Sequence, residues 1–163
     1  MRQSRKGRTV QHYERVTPAK PNLQVRADEE GHDHGALYAD VVVRRQAERQ
    51  ITPGQTADMF RDIGISAETT GSDGIYAAIV STGPGAQSTI HHHRECETAI
   101  YILEGQARFR YGEGLAQSVE ASAGDFVYIP AHAIHTEDNL SDTEPLRVLV
   151  TRNCPGSVVV IME

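Results

Sequence analysis

The sequence predicts an all-β fold, and three features of its pattern support this prediction. After Gly71 the chain consists of apolar runs of four to seven residues separated by turn residues, which is typical of a sandwich or barrel of short strands. The pair Glu104-Gly105, between YIL and ARFRY, indicates a hairpin. The turn AGD at 123–125 leads into the apolar run FVYIP and indicates a buried strand.

The predicted elements follow one another along the chain. The segment 36–45, ALYADVVVRR, is rich in β-branched residues and predicts the first strand. The segment 56–63 is predicted as either a single helical turn or a loop. Pro130 is expected at the end of a strand, where its missing N–H is tolerated. The other strands are predicted near 74–82, 88–93, 98–104, 106–111, 116–121, 126–129, 134–139, 145–152 and 157–162.

A chain of 163 residues is long enough for one domain, and the sequence contains no internal repeat. We predict a basic, disordered N-terminal segment at 1–35 and a single barrel domain at 36–163. The formal net charge is -6, yet residues 1–26 carry seven Lys and Arg residues and only one acidic residue, Glu14. Because Tyr13 is the only aromatic residue in that stretch, a solvated tail is favoured over a nucleic-acid-binding arm.

The two cysteines, Cys96 and Cys154, are predicted to be free thiols. The sequence shows no signal-like apolar segment near its start and no run of eighteen apolar residues, so we expect a soluble cytoplasmic protein without a membrane partner. A reducing compartment and the absence of a CxxC spacing favour free thiols over a disulfide. For Cys96 an inert buried thiol is favoured over a reactive one.

Three consecutive histidines, His91 to His93, give the strongest functional signal. Side chains alternate between the faces of a strand, so His91 and His93 share a face and can grip one metal ion, whereas His92 points away. Imidazole nitrogens suit divalent transition metals, and a nearby carboxylate adds charge that strengthens binding. Glu97 is the best-placed carboxylate, and Glu95 is its rival.

A further ligand is expected from the segment PAHAIH, which follows a buried strand and offers His132 and His135. His32 and His34 repeat the HxH spacing, but they lie in the predicted tail, where no scaffold fixes their geometry. A solvated segment is therefore favoured there.

Two ordered motifs resemble those of the cupin superfamily, in particular its small single-domain bacterial members. Gly85-x5-His91-x-His93-x3-Glu97, followed by Gly105, is similar to the first cupin motif, and Gly124-x5-Pro130-x-His132-x2-His135-x3-Asn139 is similar to the second. The resemblance covers about residues 74–152 and implies a double-stranded β-helix, or jelly-roll barrel. It also implies one divalent transition-metal ion, Fe, Mn, Ni or Zn, held by His91, His93, Glu97 and His135.

The first motif departs from the family pattern by one residue. Seven residues separate Glu97 from Gly105 where the family has six, so the strict register places Thr98 at the ligand position. A one-residue bulge, a common feature beside active sites, would return Glu97 to the interior. Without such a bulge the site would consist of three histidines and water. In the second motif His132 replaces the usual glycine and is expected to border the turn.

The resemblance leaves several activities open, because a fold does not fix a reaction. The leading hypothesis is an enzyme acting on a small polar organic molecule, either an oxygenase with iron or a Lewis-acid isomerase or lyase with Mn, Ni or Zn. Tyr101 and Tyr128 are predicted to line the barrel and are the candidate catalytic residues; the alternative is that their rings fill it. The competing hypothesis is a non-catalytic small-molecule-binding or regulatory protein. The resemblance also implies a homodimer through edge strands, with 36–43 and 158–162 as candidate segments.

Overall fold

In the computed structural model the described residues, 41–49 and 51–162, form two antiparallel sheets with hardly any helix. The strands are β1 (Ile51–Pro53), β2 (Met59–Ile65), β3 (Tyr76–Thr82), β4 (His91–His92), β5 (Thr98–Glu104), β6 (Gln106–Tyr111), β7 (Gln117–Ser122), β8 (Phe126–Ile129), β9 (His135–Asn139), β10 (Leu146–Arg152) and β11 (Val160–Ile161). The helical segments are α1 (Ala67–Thr70) and two short 3-10 turns, Gln46–Glu48 and Glu113–Leu115. One sheet has the order β1-β2-β3-β10-β5-β8 and the other the order β11-β4-β9-β6-β7.

The core lies between the two sheets, because each sheet turns one face of its strands inward. Along β3 buried and partly exposed residues alternate strictly, as expected for a half-buried antiparallel strand. Ile100 and Ile102 of the six-stranded sheet share one apolar cluster with Ala107 and Phe109 of the five-stranded sheet. Each large apolar side chain buried in this way contributes about 1.5–3 kcal/mol. The predicted all-β jelly roll is confirmed.

The turn predicted at Gly105 is present, but the predicted hairpin is wrong, because the turn joins β5 of the six-stranded sheet to β6 of the five-stranded sheet and the two strands do not pair. Gly105 has a φ of 88°, a left-handed conformation that favours glycine. A Cβ atom at this position would lie 3.2 Å from the carbonyl oxygen of Pro145. Both the turn and the close approach of the neighbouring chain therefore require glycine here.

Asn139, at the end of β9, fastens two neighbouring loops to the sheet. Its buried amide nitrogen donates to the carbonyl oxygens of Thr82 at 3.2 Å, Gly83 at 2.9 Å and Glu144 at 2.8 Å. Its side-chain oxygen accepts from the backbone N–H of Ser141 at 3.0 Å. Asn139, the last residue of the second motif, thus supplies hydrogen-bond partners for four backbone groups of these loops.

Two predictions near the start of the barrel were wrong. Residues 41–45 of the predicted first strand form no strand, and Val41 is 93% exposed. The segment 56–63 contains most of β2, which pairs with β3 and buries Met59 in the core. The charged pair Arg61-Asp62 interrupts the apolar pattern, so no strand was predicted there. Pairing with β3 stabilises this strand in the fold. The nine later strands lie within a few residues of their predicted positions.

The predicted N-terminal segment 1–35, with His32 and His34, lies outside the described residues, as does 36–40. The boundary between tail and barrel therefore stays a prediction. No helix among residues 41–49 and 51–162 has the length and apolar character needed to cross a membrane.

Candidate metal centre

Three buried histidines converge inside the barrel. His91 begins β4, His93 follows that strand, and His135 begins β9, where it pairs directly with His91. The ring centres of His91 and His135 are 4.3 Å apart, and that of His93 lies 5.0 Å from His91 and 5.1 Å from His135. One ligand atom from each residue lies within 4.8 Å of the others. The structure thus brings together all three histidines that the sequence put forward as ligands.

Backbone carbonyl groups fix the orientation of each imidazole. The Nδ1 atom of His91 lies 2.8 Å from the carbonyl oxygen of Thr89, and that of His93 lies 2.6 Å from the carbonyl oxygen of Val158. The Nδ1 atom of His135 lies 2.8 Å from the carbonyl oxygen of Ala133. A carbonyl only accepts, so each Nδ1 carries the hydrogen and each Nε2 presents a lone pair. This arrangement is typical of metal-binding histidines.

The Nε2 atom of His135 has no hydrogen-bond partner although it is buried. A buried polar atom without a partner is costly, because it has lost its hydrogen bonds to water. A metal ion at the centre of the three rings would use this lone pair. The donor chemistry, three neutral imidazoles, suits a divalent transition metal.

Burial keeps the imidazoles of His91 and His93 in the neutral form that binds metal. Burial lowers the pKa of His91. Burial, with the positive charge of Arg152, lowers the pKa of His93 to about 3. Both rings therefore remain unprotonated at neutral pH, and their lone pairs stay available.

A carboxylate not singled out in the sequence lies beside the cluster. Glu137 is two residues after His135 on β9, so both side chains point to the same face. Its Oε1 atom lies 3.7 Å from the Nε2 atom of His135. The spacing His135-x-Glu137 repeats the alternation of the histidine pair and was the signal available in the sequence.

Glu97, the carboxylate that the motif proposed, lies outside the cluster. Its side chain accepts hydrogen bonds from the Tyr128 hydroxyl and, at 3.1 Å, from the Asn153 amide on an exposed surface. The pairing of β5 with β8 runs without a shift from Thr98 onward, so no bulge turns Glu97 inward there. Thr98 is fully buried and takes the inward position that the strict register assigned to it.

Arg152 reaches the cluster from the opposite sheet. It pairs across β10 with Thr98 of β5 on one side and with Tyr76 of β3 on the other. Its Nε atom donates to the Thr98 hydroxyl at 3.2 Å, and its Nη2 atom lies 3.3 Å from the Nε2 atom of His93. The guanidinium carbon lies 5.3 Å from the centre of the Tyr76 ring, within the range of a cation–π contact. Burial lowers the pKa of Arg152. No sequence signal pointed to this residue.

Tyr101 and Tyr128 do not line the barrel, contrary to the prediction. Alternation along β5 turns Ile100 and Ile102 inward, which leaves Tyr101 on the outer face, where it packs against Phe126 with ring centres 4.7 Å apart. Tyr128 is 59% exposed.

A cavity of about 370 Å³ opens to solvent at the outer face of the six-stranded sheet. Thr98 and Arg152 line it together with Glu97, Tyr128 and Asn153. Ala99, Thr151 and Tyr128, which also line it, lie level with one another on the outer face of the six-stranded sheet, and the three histidines are not among its lining residues.

The two cysteines form a disulfide, which corrects the expectation of free thiols. Cys96, between β4 and β5, and Cys154, after β10, have Cα atoms 5.8 Å apart. The sequence separation of 58 hid this proximity, because only the pairing of β10 with β5 brings the two segments together.

His92 and His132 take no part in the cluster. The Nδ1 atom of His92 accepts from the backbone N–H of Arg94 at 3.1 Å, on the face away from His91 and His93. His132 has a φ of 62°, the left-handed conformation for which glycine is favoured, and its N–H donates to the Arg94 carbonyl at 2.7 Å. It borders the turn as expected.

Comparison with known sequences matches the cupin domain family to residues 78–152, a range that contains all three histidines and Glu137. The chain belongs to the cupin superfamily. Thr98 of the six-stranded sheet takes the inward position next to Glu97, and Glu137 of the five-stranded sheet places its carboxylate near His135.

Several known proteins are similar to parts of the chain. A probable oxalate decarboxylase from Arthroderma benhamiae is 35% identical over 74 residues, 44% of this chain and 18% of its own length. Quercetin 2,3-dioxygenase from Bacillus subtilis is 32% identical over 82 residues, 50% of this chain and 23% of its own length. An oxalate decarboxylase from Bacillus subtilis that has Mn(II) centres superposes with a TM-score of 0.62 and 27% identity, covering 72% of this chain and 31% of its own length. The chain thus spans about a fifth to a third of the length of these relatives.

Proposed function

We propose that this cupin is a metal-dependent enzyme that acts on a small polar organic molecule. One divalent transition-metal ion would be bound by His91, His93 and His135, with Glu137 as the fourth protein ligand. The observation that supports this most directly is the convergence of three backbone-fixed imidazoles whose Nε2 lone pairs point to one centre, one of them buried without a partner. Similarity to an oxalate decarboxylase and a quercetin dioxygenase supports an enzymatic role.

The side chains of the proposed centre contribute to metal binding in different ways. The three carbonyl acceptors keep the imidazoles in the tautomer and orientation that bind metal. Glu137 contributes a negative charge, since a dication held by the imidazoles favours the ionised form of a neighbouring carboxyl. Three imidazoles and one carboxylate leave one or two positions for substrate or water. A metal ion bound there supplies Lewis-acid activation of substrate oxygens, or dioxygen chemistry if it is iron.

The reaction class follows from the metal, which the donor set does not fix. With Fe we propose an oxygenase, and with Mn, Ni or Zn an isomerase or lyase that stabilises negative charge on a substrate oxygen.

The metal content of the purified protein tests the proposal. We expect about one divalent transition-metal ion per chain by elemental analysis, and loss of that ion in His135→Ala. The matched control is His132→Ala, which changes a histidine three residues away that is exposed and lies outside the cluster. Equal metal content in His135→Ala and the wild type would contradict the ligand assignment.

A second measurement addresses catalysis. The protein loaded in turn with Fe, Mn, Ni and Zn is supplied with small carboxylates, polyols and phenols, and oxygen uptake, release of carbon dioxide and product formation are followed. Turnover that disappears in His135→Ala supports an enzyme. Stoichiometric metal binding without turnover under any of these conditions would favour a non-catalytic binding protein.

A further inference from the structure

A positively charged group lies where a metal-bound molecule would have to sit. Arg152 places its Nη2 atom 3.3 Å from the Nε2 atom of His93. The His93 Nδ1 hydrogen is donated to the Val158 carbonyl, so His93 Nε2 is an acceptor and the guanidinium donates to it. The same lone pair is the one that would bind the metal. A metal ion at His93 therefore takes away the acceptor that Arg152 uses in this structure.

The guanidinium is held in place by its other neighbours. Thr98 binds Nε, and the Tyr76 ring lies beneath the guanidinium carbon. Within the described part of the chain, no carboxylate lies within ion-pair distance of Arg152, and the negative charge of Glu137 acts on the guanidinium from farther away. A partly buried guanidinium that faces a dication is unfavourable unless anions lie near both. With Glu137 bound to the metal ion, the place beside Arg152 is left for a second negatively charged group.

Resting on the proposed metal centre, we infer that Arg152 anchors a carboxylate group of the bound small molecule, which would span the guanidinium and the metal ion. A carboxylate has two oxygens in one plane, one to accept from Nη2 and one to face the metal. The planar guanidinium matches this geometry better than an ammonium group would. The substrate class is therefore a small organic acid.

Binding of acetate to the Co(II)-loaded protein tests this inference without requiring turnover. Acetate is titrated while the visible absorption of Co(II) is followed, and acetamide serves as the uncharged probe of the same shape. We expect acetate to bind and acetamide to bind at least tenfold more weakly. In Arg152→Gln the affinity for acetate should fall about tenfold or more, the usual effect of losing a charged hydrogen bond to a carboxylate.

The affinity for Co(II) itself distinguishes anchoring from a structural role. Arg152→Gln removes a positive charge next to the metal, so it should bind Co(II) as tightly as the wild type or more tightly. Arg147→Gln is the matched control, because Arg147 lies on the same strand and pairs with Glu104 at an exposed position. That variant should leave acetate binding unchanged. Arg152→Lys and the nearly isosteric Thr98→Val should each reduce acetate affinity, by less than Arg152→Gln does. If Arg152→Gln folds poorly, these two variants take its place.

The failure of this inference can be told apart from failure of the metal centre. A wild-type protein that takes up no Co(II) overturns the proposed function, and this inference falls with it. Normal Co(II) uptake with equal acetate affinity in the wild type and Arg152→Gln overturns only the role of Arg152. Weaker Co(II) binding in Arg152→Gln would likewise contradict it, because an anchoring residue does not hold the metal.

Discussion

The imidazole of His93 is hydrogen-bonded to the carbonyl oxygen of Val158, 65 residues further along the chain, at 2.6 Å. The loop that carries Val158 follows Cys154, and the disulfide to Cys96 ties the start of this loop to the turn after His93. Two separate bonds thus join the same two segments. The orientation of one proposed ligand depends on a loop that is distant in sequence.

Removing the disulfide should weaken both the fold and metal binding. In the double variant Cys96→Ser, Cys154→Ser we expect the free energy of unfolding to fall by about 2–4 kcal/mol, because the unfolded chain is no longer constrained. Metal affinity should fall as well, since the Val158 carbonyl is held less firmly. Urea unfolding and metal titration measure the two effects. Reductant should bring the wild type close to the variant and leave the variant unchanged; a wild type insensitive to reductant would contradict the pairing.

Neutralising Glu137 should weaken metal binding, whereas the same change at Glu97 should not. Glu137 lies 3.7 Å from the His135 imidazole, so Glu137→Gln removes a negative charge from the centre. We expect a loss of metal affinity of about ten- to a hundredfold. Glu97→Gln is the control, because its carboxylate binds Tyr128 and Asn153 at the surface. The reverse ranking in a metal titration would restore Glu97 as the ligand.

The metal-free protein should lose stability as the pH falls below the ordinary pKa of a histidine side chain. The pKa of His93 is about 3 in the folded protein, against 6.5 for a free side chain. Between these values the unfolded chain takes up a proton that the folded protein does not, so acid favours unfolding. The free energy of unfolding should fall by up to about 1.4 kcal/mol per pH unit from this group. Urea midpoints between pH 7 and pH 4 measure it, and His93→Gln should show a shallower slope; an equal slope would mean that His93 is not responsible.

Asn139→Ala should destabilise the barrel without touching the proposed ligands. The variant leaves the carbonyl groups of Thr82, Gly83 and Glu144 without their shared donor. We expect a loss of about 3 kcal/mol in the free energy of unfolding, because buried acceptors are left unpaired. Gln106→Ala is the control, since its one side-chain bond, to Ser122, is exposed. A loss below that of the control would show that water replaces the amide.

The sequence was informative wherever a local pattern carried the structure. Short apolar runs bounded by turn residues predicted β3 and β5. Alternation along a strand placed His91 and His93 on one face. The position of His135 came from the resemblance to the second cupin motif, and strand pairing with His91 explains why the two rings meet.

What the sequence did not reveal depends on contacts between distant segments. Strand β2 exists because β3 supplies its partner, and the disulfide exists because β10 lies beside β5. Arg152 reaches His93 only through the same strand pairing. Glu137 was within reach of the alternation rule, but the motif had already drawn attention to Glu97. The outward direction of Tyr101 followed from the inward direction of its neighbours Ile100 and Ile102 and could have been derived from them.

The groups proposed to hold the metal and those that face a bound molecule come from different sheets. His91, His135 and Glu137 lie on β4 and β9 of the five-stranded sheet, whereas Tyr76, Thr98 and Arg152 form a row across the six-stranded sheet. Substitutions along that row can therefore change the size and charge of the acceptable molecule while the ion stays bound. This separation makes positions 76, 98 and 152 the natural starting points for redirecting the protein to new substrates.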